Sequence, residues 1–261
     1  MGSPRRARGR LVALEGAPGS GKTTVGARVA ARLGGVFLPE AWRRLRPRPS
    51  LAFRSPAALL RLETRLVAAE GRRYRSARAL ARRGHLVLAD TGFFGPLAYT
   101  EGLVAEGLAP AAVLPPLRRT VAVAVARGGW VAPDLTVYLA TDAATRRRRV
   151  AGDPAGHPPA LADRHEAVGE WERRLYVDRL APLLGPRFRS VSGRGSPGAV
   201  ARRVAAAALA ASTADPLPAS VLVRAIADAA PGPPTPVRTR PRRPGPDPRS
   251  PVPVAGRPRH R

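Results

Sequence analysis

The stretch Gly16-Ala17-Pro18-Gly19-Ser20-Gly21-Lys22-Thr23 satisfies the pattern G-x-x-x-x-G-K-[ST], and its surroundings decide the fold. An apolar run, Leu11–Leu14, leads into it, and a helical pattern over Lys22–Leu33 leads out of it. Glycines at these positions let the backbone turn so that successive N–H groups point inward. The start of the following helix adds partial positive charge at the same spot. Such a concavity suits a phosphate chain. Lys22 is placed to reach the β- and γ-phosphates, and the Thr23 hydroxyl to ligate Mg²⁺. The nucleotide-binding set read from the sequence is Gly16, Ala17, Pro18, Gly19, Ser20, Gly21, Lys22, Thr23 and Thr24.

Composition argues against a turn that binds nothing. Lys and Arg together number 45, and Lys22 is the sole lysine. Asn, Gln and Cys are missing and Ile226 is the single isoleucine, the pattern of a coding sequence under strong GC pressure. That pressure turns lysine into arginine elsewhere, yet the motif position keeps its ammonium group. A planar guanidinium fork cannot replace the compact point charge that bridges phosphate oxygens. The formal net charge of +27 is not explained by GC pressure alone. With no cysteine, disulfide frameworks and thiol chemistry are excluded. No apolar run reaches the roughly 18 residues of a membrane span. The basic start at Arg5–Arg10 is followed by only a short apolar stretch, which argues against a secretory leader. A soluble cytoplasmic protein without membrane partners is expected.

Working outward, short apolar runs alternate with longer arginine-laced stretches. Arg10–Leu14, Val36–Leu38, His85–Ala89, Leu135–Ala140 and Phe188–Val191 read as strands. Lys22–Leu33, Pro56–Arg83, Ala109–Ala126, Ala143–Val150, His165–Leu184 and Pro197–Ala211 read as helices. Strands separated by helices predict right-handed βαβ units, hence a three-layer α/β/α sandwich around a five-stranded parallel sheet, the P-loop NTPase fold. Four zones are expected: a basic, unstructured segment 1–9, a P-loop domain 10–212, a peripheral helix within 213–230, and a Pro/Arg-rich tail 231–261. In that tail 11 of 31 residues are proline and 8 are arginine, a composition that cannot bury enough apolar surface to order itself.

Acids at the carboxyl ends of the strands are the natural partners of the loop. Asp90, after His85–Ala89, would hold Mg²⁺ through water together with Thr23. Glu40, after Val36–Pro39, would orient an acceptor hydroxyl or take its proton. For each, a helix N-cap or loop acid is the alternative. Of the run Arg146-Arg147-Arg148-Arg149, at most one or two side chains can face the phosphates, and Arg149 is the candidate. Arg164, beyond a Gly/Pro-rich lid at 153–159, is another. The catalytic set is thus Lys22, Glu40, Asp90, Arg149 and Arg164. His85, His157, His165 and His260 lack ligand spacing. Trp42 and Tyr99 lie near strand ends on the site side.

In this order the motifs resemble the thymidylate kinase-like branch of P-loop nucleoside and nucleotide kinases. The parts are Leu14-Glu15-Gly16 through Thr24, Gly84–Asp90 with Ala98-Tyr99, Pro133-Asp134-Leu135-Thr136 before the fourth strand, and Asp163-Arg164-His165-Glu166 with Trp171 and Tyr176. The resemblance spans roughly residues 10–185 and implies a five-stranded parallel sheet, ATP as donor and Mg²⁺ as cofactor. Three departures fall on the acceptor side. Where the family has Arg after the third strand's Asp, this chain has Thr91. Where it has an acid in the loop, this chain has Pro18, and where it has Gln after Ala-Tyr, Thr100. Arg72, Arg73 or Arg75 could restore an acceptor-binding charge. Phe37-Leu38-Pro39-Glu40 is similar to the strand-end segment that nucleoside kinases use for their base.

The expected activity is Mg²⁺- and ATP-dependent phosphoryl transfer to a nucleoside, nucleotide or similar small hydroxyl acceptor other than dTMP. A regulatory NTPase that contacts nucleic acid through its basic tail is the second reading, and a catalytically silent homologue the third. A homodimer is compatible with either.

Overall fold

The computed structural model describes residues 9–46, 53, 55–92, 94–129, 132–152, 168–211 and 217–227. The first three elements are β1 (Arg10–Glu15), α1 (Lys22–Leu33) and β2 (Val36–Leu38). The short α2 (Ala41–Arg44), the long α3 (Pro56–Arg82), β3 (Leu86–Asp90) and α4 (Gly95–Ala105) follow. A 3-10 turn at Ala111–Val113 enters α5 (Leu114–Ala126), which leads to β4 (Leu135–Ala140) and α6 (Ala143–Ala151). Helix α7 covers 168–184, with π-helical turns at Arg174–Leu180. β5 (Phe188–Ser192), α8 (Pro197–Ala210) and α9 (Ala219–Ala227) complete the order.

All strand pairs are parallel, in the order β2-β3-β1-β4-β5. The central strand β1 reads as a continuous apolar run because both faces are covered: Leu11, Val12 and Leu14 are fully buried, each burial stabilising by roughly 1.5–3 kcal/mol. One face packs on α3, α5, α7 and α9. The other packs on α1 and α8 through Val25, Val29, Val200 and Val204. The three-layer expectation is met.

At the sheet's amino-terminal edge, Asp134 accepts from the Leu11 N–H at 2.7 Å and from Arg78 at 3.0 Å through each carboxylate oxygen. The Pro-Asp segment before β4 is thus a clasp joining β1, β4 and α3. At the opposite edge β1 and β3 end in register, Leu14 beside Asp90, so the loops after both strands open into the same space.

Helix α3 begins at Pro56 with Ser55 as cap, its hydroxyl accepting from the Ala58 N–H at 3.2 Å. Its 27 residues span about 40 Å, long enough to carry side chains from the outer helical layer to the strand ends. Two helices escape the sequence reading. α2 is a single turn. α4 is buried on nearly every side, so it shows no polar face and no amphipathic period. Helix α5 starts at Leu114 rather than Ala109, the preceding residues being 3-10 and extended. The segments 1–8, 153–167 and 228–261, with Arg164 and the Pro/Arg-rich tail, lie outside the described residues. Among the described residues, no helix is long and apolar enough to cross a membrane.

Candidate functional site

The loop between β1 and α1 is shaped by three glycines in the left-handed half of backbone space: Gly16 (φ 136°), Gly19 (φ 77°) and Gly21 (φ 99°). A Cβ on Gly16 would stand 2.9 Å from the Leu139 carbonyl, and one on Gly19 would meet Val150 at 2.8 Å. The loop is therefore pressed between β4 and α6 and has no room for a side chain at Gly16 or Gly19. Gly21 caps α1, no acid occupies the helix's first turn, and the Ser20 N–H closes on the Ala17 carbonyl at 3.0 Å. The free N–H groups at the start of α1 make an anion seat. Lys22 turns back over the loop, donating to the Gly16 carbonyl at 2.5 Å and the Ala17 carbonyl at 3.5 Å.

Thr23 donates its hydroxyl proton to Asp90 Oδ2 at 2.6 Å. Asp90 is 1% exposed and its Oδ1 has no hydrogen-bond partner among the described residues. A buried orphan carboxylate oxygen beside a hydroxyl is a hard-oxygen pair that fits Mg²⁺, which takes few protein ligands and fills its octahedron with phosphate oxygens and water. Among the described residues no cluster of three acids or histidines forms a dedicated metal cage, in keeping with that mode.

Both features open into a cavity of about 720 Å³. Its donor end carries the loop, Arg148 and Arg149. Arg149 is brought to the loop as expected, but its guanidinium is committed to backbone, donating to Ser20 O at 2.7 Å and Gly193 O at 2.9 Å. Arg146 similarly donates to Thr141 O at 2.7 Å. Arg147 points outward, so only part of the four-arginine run faces the loop.

The other end is walled by Trp42, Leu66, Pro96 and Tyr99, with Glu40 and Glu63 between them. Glu40 sits at the N-cap position of α2 but makes no capping hydrogen bond. Its carboxyl faces the cavity instead, pushed above the usual carboxylate range by burial and by Asp90. Glu63 and Glu70 project from α3 two turns apart. Burial lifts Glu63 to about 8, and Glu70 to about 7 against the pull of Arg73. Glu15, at the end of β1, is held at about 8 by burial and lies between Gly92 and Tyr176. Glu172 is at about 7 for the same reason. The wide π turns of α7 begin two residues beyond Glu172 and hold Tyr176 against the carboxyl of Glu15. Such turns are frequent at functional sites.

The family model described as AAA domain matches residues 11–147, more than half of the sequence. The chain belongs to this family. No curated protein matches it by sequence. Among solved structures, deoxyadenosine kinase from M. mycoides with bound dATP superposes with a TM-score of 0.58 at 13% identity, covering 74% of this chain and 96% of that one. Thymidylate kinase from Candida albicans superposes with a TM-score of 0.52 at 17% identity, covering 76% and 89%. At these identities the likeness shows the fold: this AAA-domain member has the architecture of P-loop nucleoside and nucleotide kinases.

Within that architecture, Lys22, Thr23, Asp90 and Glu40 come together as the sequence reading expects, and Trp42 and Tyr99 line the same cavity. Arg73 does not supply acceptor charge. It is 7% exposed, bonds Glu70 through Nε at 2.7 Å, and donates to the Leu38 carbonyl at 3.2 Å and the Thr91 carbonyl at 2.5 Å. It clasps the ends of β2 and β3. Arg72 is exposed, and Arg75 lies toward Gly71 and Gly129. Thr100 is buried and bonds back to the Pro96 carbonyl within α4. Sequence reasoning missed Glu15 as a cavity residue, together with Glu63, Glu70 and Glu172. The available signal was two acids, Glu63 and Glu70, seven residues apart on the apolar stripe of α3, in a chain with only 18 acids.

Proposed function

We propose that the chain is a Mg²⁺- and ATP-dependent phosphotransferase that passes the γ-phosphoryl group to a small hydroxyl acceptor other than dTMP, acting in the cytoplasm. The observation carrying this reading is the convergence, in one cavity, of the Lys22 loop, the Thr23–Asp90 pair and the cavity-facing Glu40. The loop N–H groups and the start of α1 would bind the donor phosphates. Lys22 would exchange its two loop carbonyls for β- and γ-phosphate oxygens. Thr23 and Asp90 would hold Mg²⁺, which neutralises charge developing on the phosphates. Arg149 acts by fixing the Ser20 carbonyl, hence the loop.

Glu40, with its raised proton affinity, accepts the acceptor's hydroxyl proton as that oxygen bonds to the γ-phosphorus. The bond from that phosphorus to the β–γ bridging oxygen breaks, and ADP leaves. The structural neighbours, a deoxyadenosine kinase and a thymidylate kinase, support a nucleoside-like acceptor size. The test is incubation with γ-labelled Mg-ATP and a panel of nucleosides, nucleoside monophosphates and small hydroxyl compounds. Acceptor-dependent label transfer supports the proposal. Hydrolysis stimulated by DNA or RNA, which the +27 charge would favour, would instead establish a nucleic-acid-linked NTPase. ATP binding with neither outcome would establish a silent homologue.

A further inference from the structure

The acceptor end of the cavity is charged against the rest of the molecule. The chain carries 45 basic residues and 18 acids, yet six of those acids line this one space. Two are accounted for: Asp90 holds Thr23, and Glu70 is paired with Arg73. Of the cations on the walls, Lys22, Arg148 and Arg149 flank the loop and Arg43 stands near Glu40; Lys22 also acts on Glu15, Glu40 and Glu172, but none of the four offsets the burial of Glu63.

Glu63 is the telling member. It is 2% exposed, its Oε2 is sealed from water without a hydrogen bond, and it has no ion-pair partner among the described residues. Burying such a group unpaired costs several kcal/mol, and native proteins rarely tolerate it without a ligand or a functional reason. Its neighbours do not relieve it, since Glu40 stands close enough to raise its proton affinity further. Glu172 presents to the same cavity a second carboxyl oxygen with no hydrogen-bond partner among the described residues. Arg73 on α3 is not available to seat an acceptor phosphate, because it spends its donors on Glu70, Leu38 and Thr91. A monophosphate beside Glu63 would meet carboxyl groups, with Arg43 the cation on that wall of the cavity.

We infer that the acceptor is a small hydroxyl compound bearing a protonated amine, which pairs with Glu63, and bearing no phosphate. The inference rests on the phosphotransferase reading and narrows its acceptor. A charge-assisted hydrogen bond replaces the missing partner of Glu63, while Trp42 and Tyr99 cover the apolar part of the ligand.

The test uses the full chain with γ-labelled Mg-ATP and matched acceptors: 3′-amino-3′-deoxyadenosine, adenosine and AMP, and glucosamine beside N-acetylglucosamine. Expected is transfer to the amines with kcat/KM roughly 10- to 100-fold above their neutral counterparts, and none to AMP. Glu63→Gln should raise KM for the amine by the same factor while calorimetric ATP affinity stays unchanged. Equal transfer to amine and neutral counterpart, transfer to AMP, or an unchanged KM in Glu63→Gln overturns the inference and leaves the phosphotransferase standing. Transfer to no acceptor overturns the inference as well. In that case, absence of ATP binding brings down the phosphotransferase reading with it.

Discussion

The two ends of the cavity are built from opposite materials. The donor end is made by one short run of backbone: Gly16 to Thr23 supply N–H groups, three left-handed glycines and a single ammonium group. The acceptor end is made by side chains from β1, β3, α2, α3, α4 and α7, separated by up to 157 positions between Glu15 and Glu172, and most of its titratable groups are carboxyls. A phosphate-binding turn can be specified locally, because main-chain donors and a helix dipole need only the right φ angles. A pocket of carboxylates has to be assembled by tertiary structure and kept in place against desolvation.

The largest effect on stability should come from the clasp between β2 and β3. Arg73→Met leaves Glu70 buried without its counter-charge and frees the Leu38 and Thr91 carbonyls, a loss of about 3–5 kcal/mol. Thermal unfolding should fall by roughly 10 °C, and the double variant with Glu70→Gln should regain a large part of it. If the single variant melts like the wild type, Arg73 is no clasp and is available to an acceptor. At the donor end, Lys22→Ala should cut kcat/KM by about 10³-fold with little change in melting temperature, because its hydrogen-bond partners among the described residues are loop carbonyls. Glu40→Gln should lower kcat by about 10²-fold and leave ATP affinity intact, so that loss of nucleotide binding in calorimetry would move Glu40 to the donor end.

The contrast also has a pH signature. Burial holds Glu15 and Glu63 at about 8 and Glu172 at about 7, against an ordinary value of 4.5. The folded chain thus keeps protons that the unfolded chain releases. This contribution to stability is fully present below about pH 4.5 and is lost as pH rises through 7 and 8. Melting temperature should be higher near pH 5.5 than near pH 8.5. Glu63→Gln should flatten the slope. A flat profile in the wild type would mean these carboxyls are solvated or paired.

The same contrast explains what the sequence discloses. The five strands and the loop are legible because β1, β3 and β4 are mostly apolar runs and Gly16–Thr23 is a contiguous motif. Glu40 and Asp90 are legible because each closes a strand on the loop's side. Glu63 and Glu172 are not, since an acid on a helix declares its direction only when the helix is docked. Arg73 misleads for a related reason. Its position on α3 suits acceptor binding, but its side chain is short enough of solvent, and close enough to two strand-end carbonyls, to become structural. Helix α4 stays hidden because Gly95, Pro96 and Gly102 lower its propensity while tertiary burial on most faces stabilises it.

The smallest expected effect lies where the two ends meet. Thr91 follows Asp90 with φ 65°, the one residue other than glycine in the left-handed region among those described. For a β-branched side chain this conformation costs about 1–3 kcal/mol, and it persists because the Thr91 N–H bonds Leu14 O at 2.9 Å while Arg73 grips its carbonyl. Thr91→Gly should therefore stabilise the fold by up to about 1 kcal/mol, the relief being offset in part by glycine's greater freedom when unfolded. The gain should read out as a rise of about 2–4 °C in melting temperature. Should turnover stay unchanged as well, the strain is a by-product of the clasp. Should turnover fall while the protein becomes more stable, the strained turn is what aligns Asp90 at the donor end with Glu40 at the acceptor end.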